Sequence, residues 1–176
     1  VCRNVAEQNG FSGGMTYSFE SPKVFDKLLL AEDAKERQAI EISNPLGEDF
    51  SIMRTISLNG MLTSLSTNAN RKNKVAKLYE FGNVYLPKVL PLTELPEERM
   101  KLTIGMYGDG DFFDLKGVLE ELTDNLRLKC QFTYVPTTEY PFLHPGRQSK
   151  IVKVYELIGV IGQVHPEVFD NYIFKA

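Results

Sequence analysis

Apolar positions along the chain switch between runs spaced three and four apart and runs that alternate, and each switch marks a predicted element. Residues 1–9 read as a helix ended by Gly10. In 15–20, Met15, Tyr17 and Phe19 fall on one face of an alternating run, which predicts a strand with one buried side. Ser21-Pro22 offers an N-cap serine and a proline at the first helical position, opening a short helix that carries Val24, Phe25, Leu28 and Leu29. A surface turn over 31–37 and a short strand over 38–43 follow, and Asn44-Pro45-Leu46-Gly47 reverses the chain. After an extended stretch at 51–54, Leu58, Met61, Leu62, Leu65 and Ala69 recur at helical spacing, with Thr55 or Ser57 as N-cap. Residues 77–85 predict a strand bent or bulged at Gly82, and Pro87, Pro91 and Pro96 make the next stretch a loop.

The second half is patterned more strongly. Met100, Leu102, Ile104 and Met106 alternate with Lys101, Thr103 and Gly105, as in a half-buried strand. A Gly-Asp-Gly-Asp turn then leads into a helix with Leu115, Val118, Leu119, Leu122 and Leu126 on one stripe and Asp111 and Asp114 at its positive end. Strands at 131–135, 151–155 and 157–164 follow, the last two as a hairpin, and His165-Pro166 starts a short helix. Hairpin-joined strands with helices between the groups specify an α+β fold, a mainly antiparallel sheet flanked by helices, in one domain spanning 1–176.

Composition narrows the class. With 176 residues, 43% of them hydrophobic, the chain can fill one core. Its 20 Lys and Arg against 23 Asp and Glu leave a net charge of -3, which disfavours a surface built to grip a phosphate backbone. No apolar run approaches the ~18 residues of a membrane span and no signal peptide opens the chain, so a soluble, cytoplasmic protein is expected. Cys2 and Cys130 are too few and too far apart for a disulfide or zinc framework and are expected to be plain thiols. The chain begins at Val1 without a methionine, as expected of a piece of something longer.

Candidate chemistry is sparse. His144 and His165 each precede a proline, where the backbone is held extended, and fit hydrogen-bond anchors better than catalysts or metal ligands. Residues 108–111 resemble the start of a calcium loop but lack its remaining ligands, so a turn feeding an N-cap is expected. No phosphate-cradling glycine loop is present, and Ser57, Ser64, Ser66 and Ser149 have no spacing cue to a histidine and carboxylate. Arg71-Lys72-Asn73-Lys74 after a helix complements its dipole; an RNA-phosphate contact is the sharper alternative.

Six segments are more specific together than singly: residues 15–19 (MTYSF), 44–49 (NPLGED) leading to Met53-Arg54-Thr55, 78–85 (LYEFGNVY), 111–117 (DFFDLKG), 144–147 (HPGR) and 158–167 (IGVIGQVHPE). In this order, over essentially the whole chain, they resemble the beta-subunit family of bacterial phenylalanyl-tRNA synthetases in its catalytic-like module. The resemblance implies the antiparallel sheet and flanking helices of class II aminoacyl-tRNA synthetases. It also implies a two-alpha, two-beta assembly that charges phenylalanine tRNA using ATP and magnesium. In the catalytic alpha subunit the strand like 78–85 continues into an arginine that holds the ATP α-phosphate and the phenylalanine carboxylate. Leu86, followed by Pro87, stands there in this chain and offers neither donor nor charge. A glycine-rich motif with a second arginine has no counterpart before Ala176, and Asn59 stands where proline is expected.

The resemblance therefore implies a non-catalytic scaffold that supports the alpha subunit, inactive by itself, with no catalytic, cofactor or metal residue of its own. The alternatives are a competent ATP-using domain and a direct tRNA-binding module. Structural or subunit-interface roles then fall to Asn44, Pro45, Arg54, Lys116, Gly117, Phe142, His144, Pro145, Arg147, His165 and Pro166. Arg54 is expected to pair with a carboxylate or backbone carbonyls. Residues 141–147 are expected to form a rigid loop used for packing or at the subunit boundary. Gly117 is expected to pack closely on a neighbour, since a mid-helix glycine costs ~1 kcal/mol relative to alanine.

Overall fold

The prolines at 87, 91 and 96 keep 87–96 out of any ladder, so the chain turns there and the flanking strands meet along their whole length. In a computed structural model, which describes residues 1–128 and 132–173, β4 (Ala76–Leu86) and β5 (Glu97–Tyr107) pair antiparallel from Ala76 opposite Tyr107 to Leu86 opposite Glu97. Preceding them are α1 (Cys2–Gln8), β1 (Ser12–Gly13), β2 (Phe19–Glu20), α2 (Val24–Lys27), β3 (Ile52–Met53) and α3 (Leu58–Asn70). After them come α4 (Phe112–Asn125), β6 (Phe132–Pro136), β7 (Leu143–Lys153), β8 (Glu156–Val164) and α5 (Pro166–Asn171).

Antiparallel pairing prevails, as the α+β pattern predicts, but the strands form three sheets: β1-β4-β5, β2-β3 and β6-β7-β8. The β1–β4 pair is parallel. The alternating face of the first sheet, with Tyr79, Phe81, Leu102, Ile104 and Met106, packs with Ala6, Phe11, Leu115 and Val118. Its other face is covered by α3, whose Met61 and Leu65 lie on Gly105. From Leu102 onward β5 is thus covered on both faces rather than one, whereas Met100 at its free end is exposed. A second core joins α2, β3, α3, β7 and α5 through Val24, Phe25, Leu28, Ile52, Leu62, Leu143 and Val168. Helix α3 thus contributes Leu62 to the second core while laying Met61 and Leu65 on the first sheet, which is what the width of its apolar stripe requires.

Several expectations are corrected. Only Phe19–Glu20 of 15–20 forms a strand, and Met15 (94% exposed) and Tyr17 (74%) face outward, because the buried side of β2 is the one that carries Glu20. Of 38–43, a single bridge from Glu41 to Ile52 forms. Ladder register runs straight through Gly82 without bend or bulge; the glycine is required because a Cβ there would overlap the Arg54 guanidinium. Ser57 is the N-cap residue of α3, but its hydroxyl meets that of Thr103 (2.6 Å) instead of capping, and the Thr55 hydroxyl donates to the Glu36 carbonyl. Asp111 caps α4 in a reciprocal box with Asp114, as the turn reading predicts. Strand β7 begins at Leu143, so residues 144–147 form a bulge between the pairs Leu143–Val164 and Gln148–Gly162 rather than a separate loop. Cys2 is a free thiol, while Cys130 and the start of the 131–135 strand lie outside the described residues.

Candidate functional site

The polar groups that the fold buries most completely meet where β3 ends, α3 begins and β4 crosses beneath them. Arg54, 3% exposed, leaves β3 toward β4. Its Nε donates to the Asn83 carbonyl (2.7 Å), and its Nη1 donates to Glu80 Oε1 (3.2 Å) and Thr16 Oγ1 (3.1 Å). Glu80, also 3% exposed, accepts further bonds from the Thr16 backbone N–H (3.0 Å) and hydroxyl (2.9 Å to Oε2). Every member has a partner within the cluster, the condition under which a buried ion pair is tolerated. Gly82 leaves room for the guanidinium, and Gly60 of α3 leaves room for Thr16. Arg54 therefore meets a carboxylate and a backbone carbonyl, and its Nε and Nη1 donate inside the fold.

Glu20, on β2, lies beside this network without joining it. It is 4% exposed and its Oε1 has no hydrogen-bond partner. Burial pushes its carboxyl from the usual 4.5 to about 7, partly offset by the Asn59 amide and the Arg54 charge. Asn59 also accepts from the Tyr172 hydroxyl (2.9 Å). Burial, together with the Glu20 charge, holds that phenol well above its ordinary range. The residue standing where proline was expected thus ties the first turn of α3 to the end of α5.

The remaining candidates are scattered. His144 Nδ1 accepts from the Gly146 N–H (3.1 Å) and His165 Nδ1 from the Glu167 N–H (3.2 Å), so each ring holds the turn two residues on. Pro166 is the first residue of α5 behind its His165 cap. Phe142 is buried in the second core, while Pro145 and Arg147 are exposed on the bulge, where Arg147 donates to Gln163 Oε1 (2.5 Å). Asn44 and Pro45 lie on an exposed bend. Lys116 sits over the Tyr134 ring (4.9 Å) and pairs with Glu120 (3.1 Å). Gly117 corrects its expectation: it is exposed, with nothing within 4 Å of where a Cβ would stand, so no close approach explains it.

Composition and spacing missed Glu20, Glu80, Thr16 and Gln148. Buried Gln148 pins the bulge by accepting from Tyr140 N–H (3.1 Å) and donating to the Tyr140 and Leu143 carbonyls (both 3.2 Å). Among the described residues no three His, Cys, Asp or Glu side chains converge as a metal ion's ligands, and no helix is long and apolar enough to cross a membrane.

An α+β fold of antiparallel-rich sheets flanked by helices, with Arg54, Glu80 and Thr16 satisfying one another in its interior and Glu20 Oε1 left without a partner, is the class that this geometry defines. The family model described as "Phenylalanyl tRNA synthetase beta chain CLM domain" matches residues 1–176, and the chain belongs to that family. It is 44% identical over 172 residues to the phenylalanine–tRNA ligase beta subunit of Clostridium acetobutylicum, covering 98% of this chain and 22% of that protein. The beta subunit of Clostridium tetani is 44% identical over 164 residues (93% and 20%), and that of Geobacter metallireducens 37% over 182 residues (97% and 22%). The chain thus spans about a fifth of the length of the curated relatives it matches.

Proposed function

We propose that this chain is a non-catalytic, class II synthetase-like module of a phenylalanine–tRNA ligase beta subunit, and that it supports an alpha subunit from outside the active site. The whole enzyme would be a cytoplasmic two-alpha, two-beta assembly that joins phenylalanine to its tRNA with ATP and magnesium. The observation that carries the reading is the end of β4. Leu86, opposite Glu97, stands where the resemblance puts the arginine that grips ATP and phenylalanine. The cations near this end are exposed and face carboxylates rather than standing fixed in the arginine's place: Arg99 bonds Glu97 twice (2.5 and 3.0 Å), Lys88 pairs with Glu94 (3.1 Å), and Lys101 also acts on Glu97. Arg54 is held inside the fold by Glu80, Thr16 and Asn83. The residues present do not fit an ATP α-phosphate, because a developing negative charge needs fixed donors aimed at it.

Phenylalanine-dependent ATP–pyrophosphate exchange by the chain alone tests this. No exchange above buffer is expected, while the alpha subunit with the full beta subunit exchanges normally. Exchange by the chain alone would instead favour a competent ATP-using domain. Arg71, Lys72 and Lys74 are exposed at the C-terminal end of α3, and salt-dependent tRNA binding lost on their replacement by alanine would favour a tRNA-binding module.

A further inference from the structure

Two buried carboxyl groups, Glu20 and Glu80, share the neighbourhood of one buried guanidinium. Glu80 takes that cation: Arg54 Nη1 donates to Glu80 Oε1 and Thr16 Oγ1, and Arg54 Nε donates to the Asn83 carbonyl. Glu20 is left with the Asn59 amide and an oxygen that has no hydrogen-bond partner. Ionised, it would place one uncompensated negative charge where water does not reach, an expensive state. The groups facing it are Arg54 from the end of β3, Asn59 from α3 and Tyr172 from α5, with Glu80 of β4 behind Arg54. Lys27, at the end of α2, lies over the Tyr172 ring at 5.4 Å.

One wall of this pocket meets Glu20 through Asn59. Strands β2 and β3 pair with each other, β4 is held in its eleven-residue ladder, and α3 gives Leu62 to the second core and lies across the first sheet at Gly105. Helix α5 has six residues. Besides burying Val168 and Tyr172, it and the residues after it are held, among the described residues, by five side-chain bonds, one of them from the Ser66 hydroxyl to the Ile173 carbonyl (3.3 Å). The Ser66 hydroxyl donates to the Tyr172 carbonyl (2.6 Å), and the Asn70 amide donates to the Ile173 carbonyl (2.9 Å). The Asn171 amide donates to the Lys27 carbonyl (3.1 Å), and the Tyr172 hydroxyl donates to Asn59 Oδ1 (2.9 Å). Short elements supply the low-energy local openings of a fold more readily than long ones.

We propose that α5 is a proton-coupled cover: it seats over Glu20 while that carboxyl holds its proton, and lifts at Tyr172 when the carboxyl ionises, admitting water. The opened state binds the proton more weakly than the closed one, so opening grows as pH rises, by up to tenfold per pH unit.

Hydrogen–deuterium exchange read by mass spectrometry on the intact beta subunit with its alpha partner, from pH 5.5 to 8.5 and corrected for intrinsic exchange, tests this. Segment 166–173 is expected to lose protection tenfold or more across that range while β4 and β5 keep theirs, and Glu20→Gln is expected to make 166–173 insensitive to pH. A flat profile in the wild type, the same loss in the glutamine variant, or an equal loss in β4 and β5 overturns the proposal. Should Glu20→Gln lose β4–β5 protection, infrared difference spectra of the wild type with isotope-labelled glutamate decide. A protonated buried carboxyl must be present at pH 5.5 and vanish over the pH range in which 166–173 opens. Its absence at pH 5.5, or its persistence through the opening, overturns the proposal.

Discussion

Replacing Glu80 by alanine removes the carboxylate that, among the described residues, the buried Arg54 guanidinium pairs with. Both side chains are 3% exposed, so neither charge can turn to solvent without opening the fold. The substitution leaves Arg54 Nη1 with only the Thr16 hydroxyl and strands the Thr16 backbone N–H, which donates to Glu80 at 3.0 Å. Breaking a buried pair from one side costs about 3–5 kcal/mol, because an uncompensated charge stays behind. Removing both charges, in Arg54→Met with Glu80→Leu, should cost far less than the two single changes together, since apolar replacement of a buried ion pair is often close to neutral. Equilibrium urea unfolding of the chain at pH 7, followed by circular dichroism with the slope checked for constancy, measures all four variants: Glu80→Ala, Arg54→Met, Glu80→Leu and the double. A loss below about 1 kcal/mol for Glu80→Ala, or strict additivity in the double variant, would refute the reading of this cluster as a mutually dependent unit.

Other consequences are smaller or depend on pH. The folded Glu20 carboxyl sits above its unfolded value, so its favourable contribution is complete below about pH 4.5 and is lost as pH rises through about 7. Glu20→Gln should therefore leave stability near pH 4 unchanged and raise it at pH 8 by up to about 3 kcal/mol, read from urea midpoints at both pH values. Gly117→Ala should stabilise α4 by about 0.5–1 kcal/mol, since a Cβ meets nothing there; a thermal midpoint that falls would mean the glycine has a packing role. Asp111→Ala should cost about 1 kcal/mol through loss of the α4 cap, visible as a lower thermal midpoint with the β4–β5 ladder intact.

Period and punctuation made the long elements legible. The stripe from Leu58 to Ala69, the alternation from Met100 to Met106 and the Asp111 cap all reappear as α3, β5 and the start of α4. What alternation cannot say is which of two faces a second layer will cover. Met15, Tyr17 and Phe19 read as a buried stripe, yet a carboxylate on the opposite face, Glu20, is what the fold buries. Glu80 was hidden for the same reason, since a polar residue in an alternating strand reads as solvent-facing until its partner is known. Arg54, at the end of a strand and before a helix, is legible as a cation expected to pair with a carboxylate or backbone carbonyls, though only the structure supplies Thr16, Glu80 and Asn83 as its partners. By sequence Gly82 predicts a bend or bulge and Gly117 a close neighbour. One makes room for a guanidinium from a distant element, the other faces open space, and local sequence does not distinguish them.

The scaffold reading is tested most directly by mixing this chain with the cognate alpha subunit and measuring mass by size-exclusion chromatography with light scattering. A stoichiometric complex, formed by a chain that has no exchange activity of its own, is the predicted result. A folded chain that elutes apart from the alpha subunit at micromolar concentrations would contradict the claim that this module supports its partner.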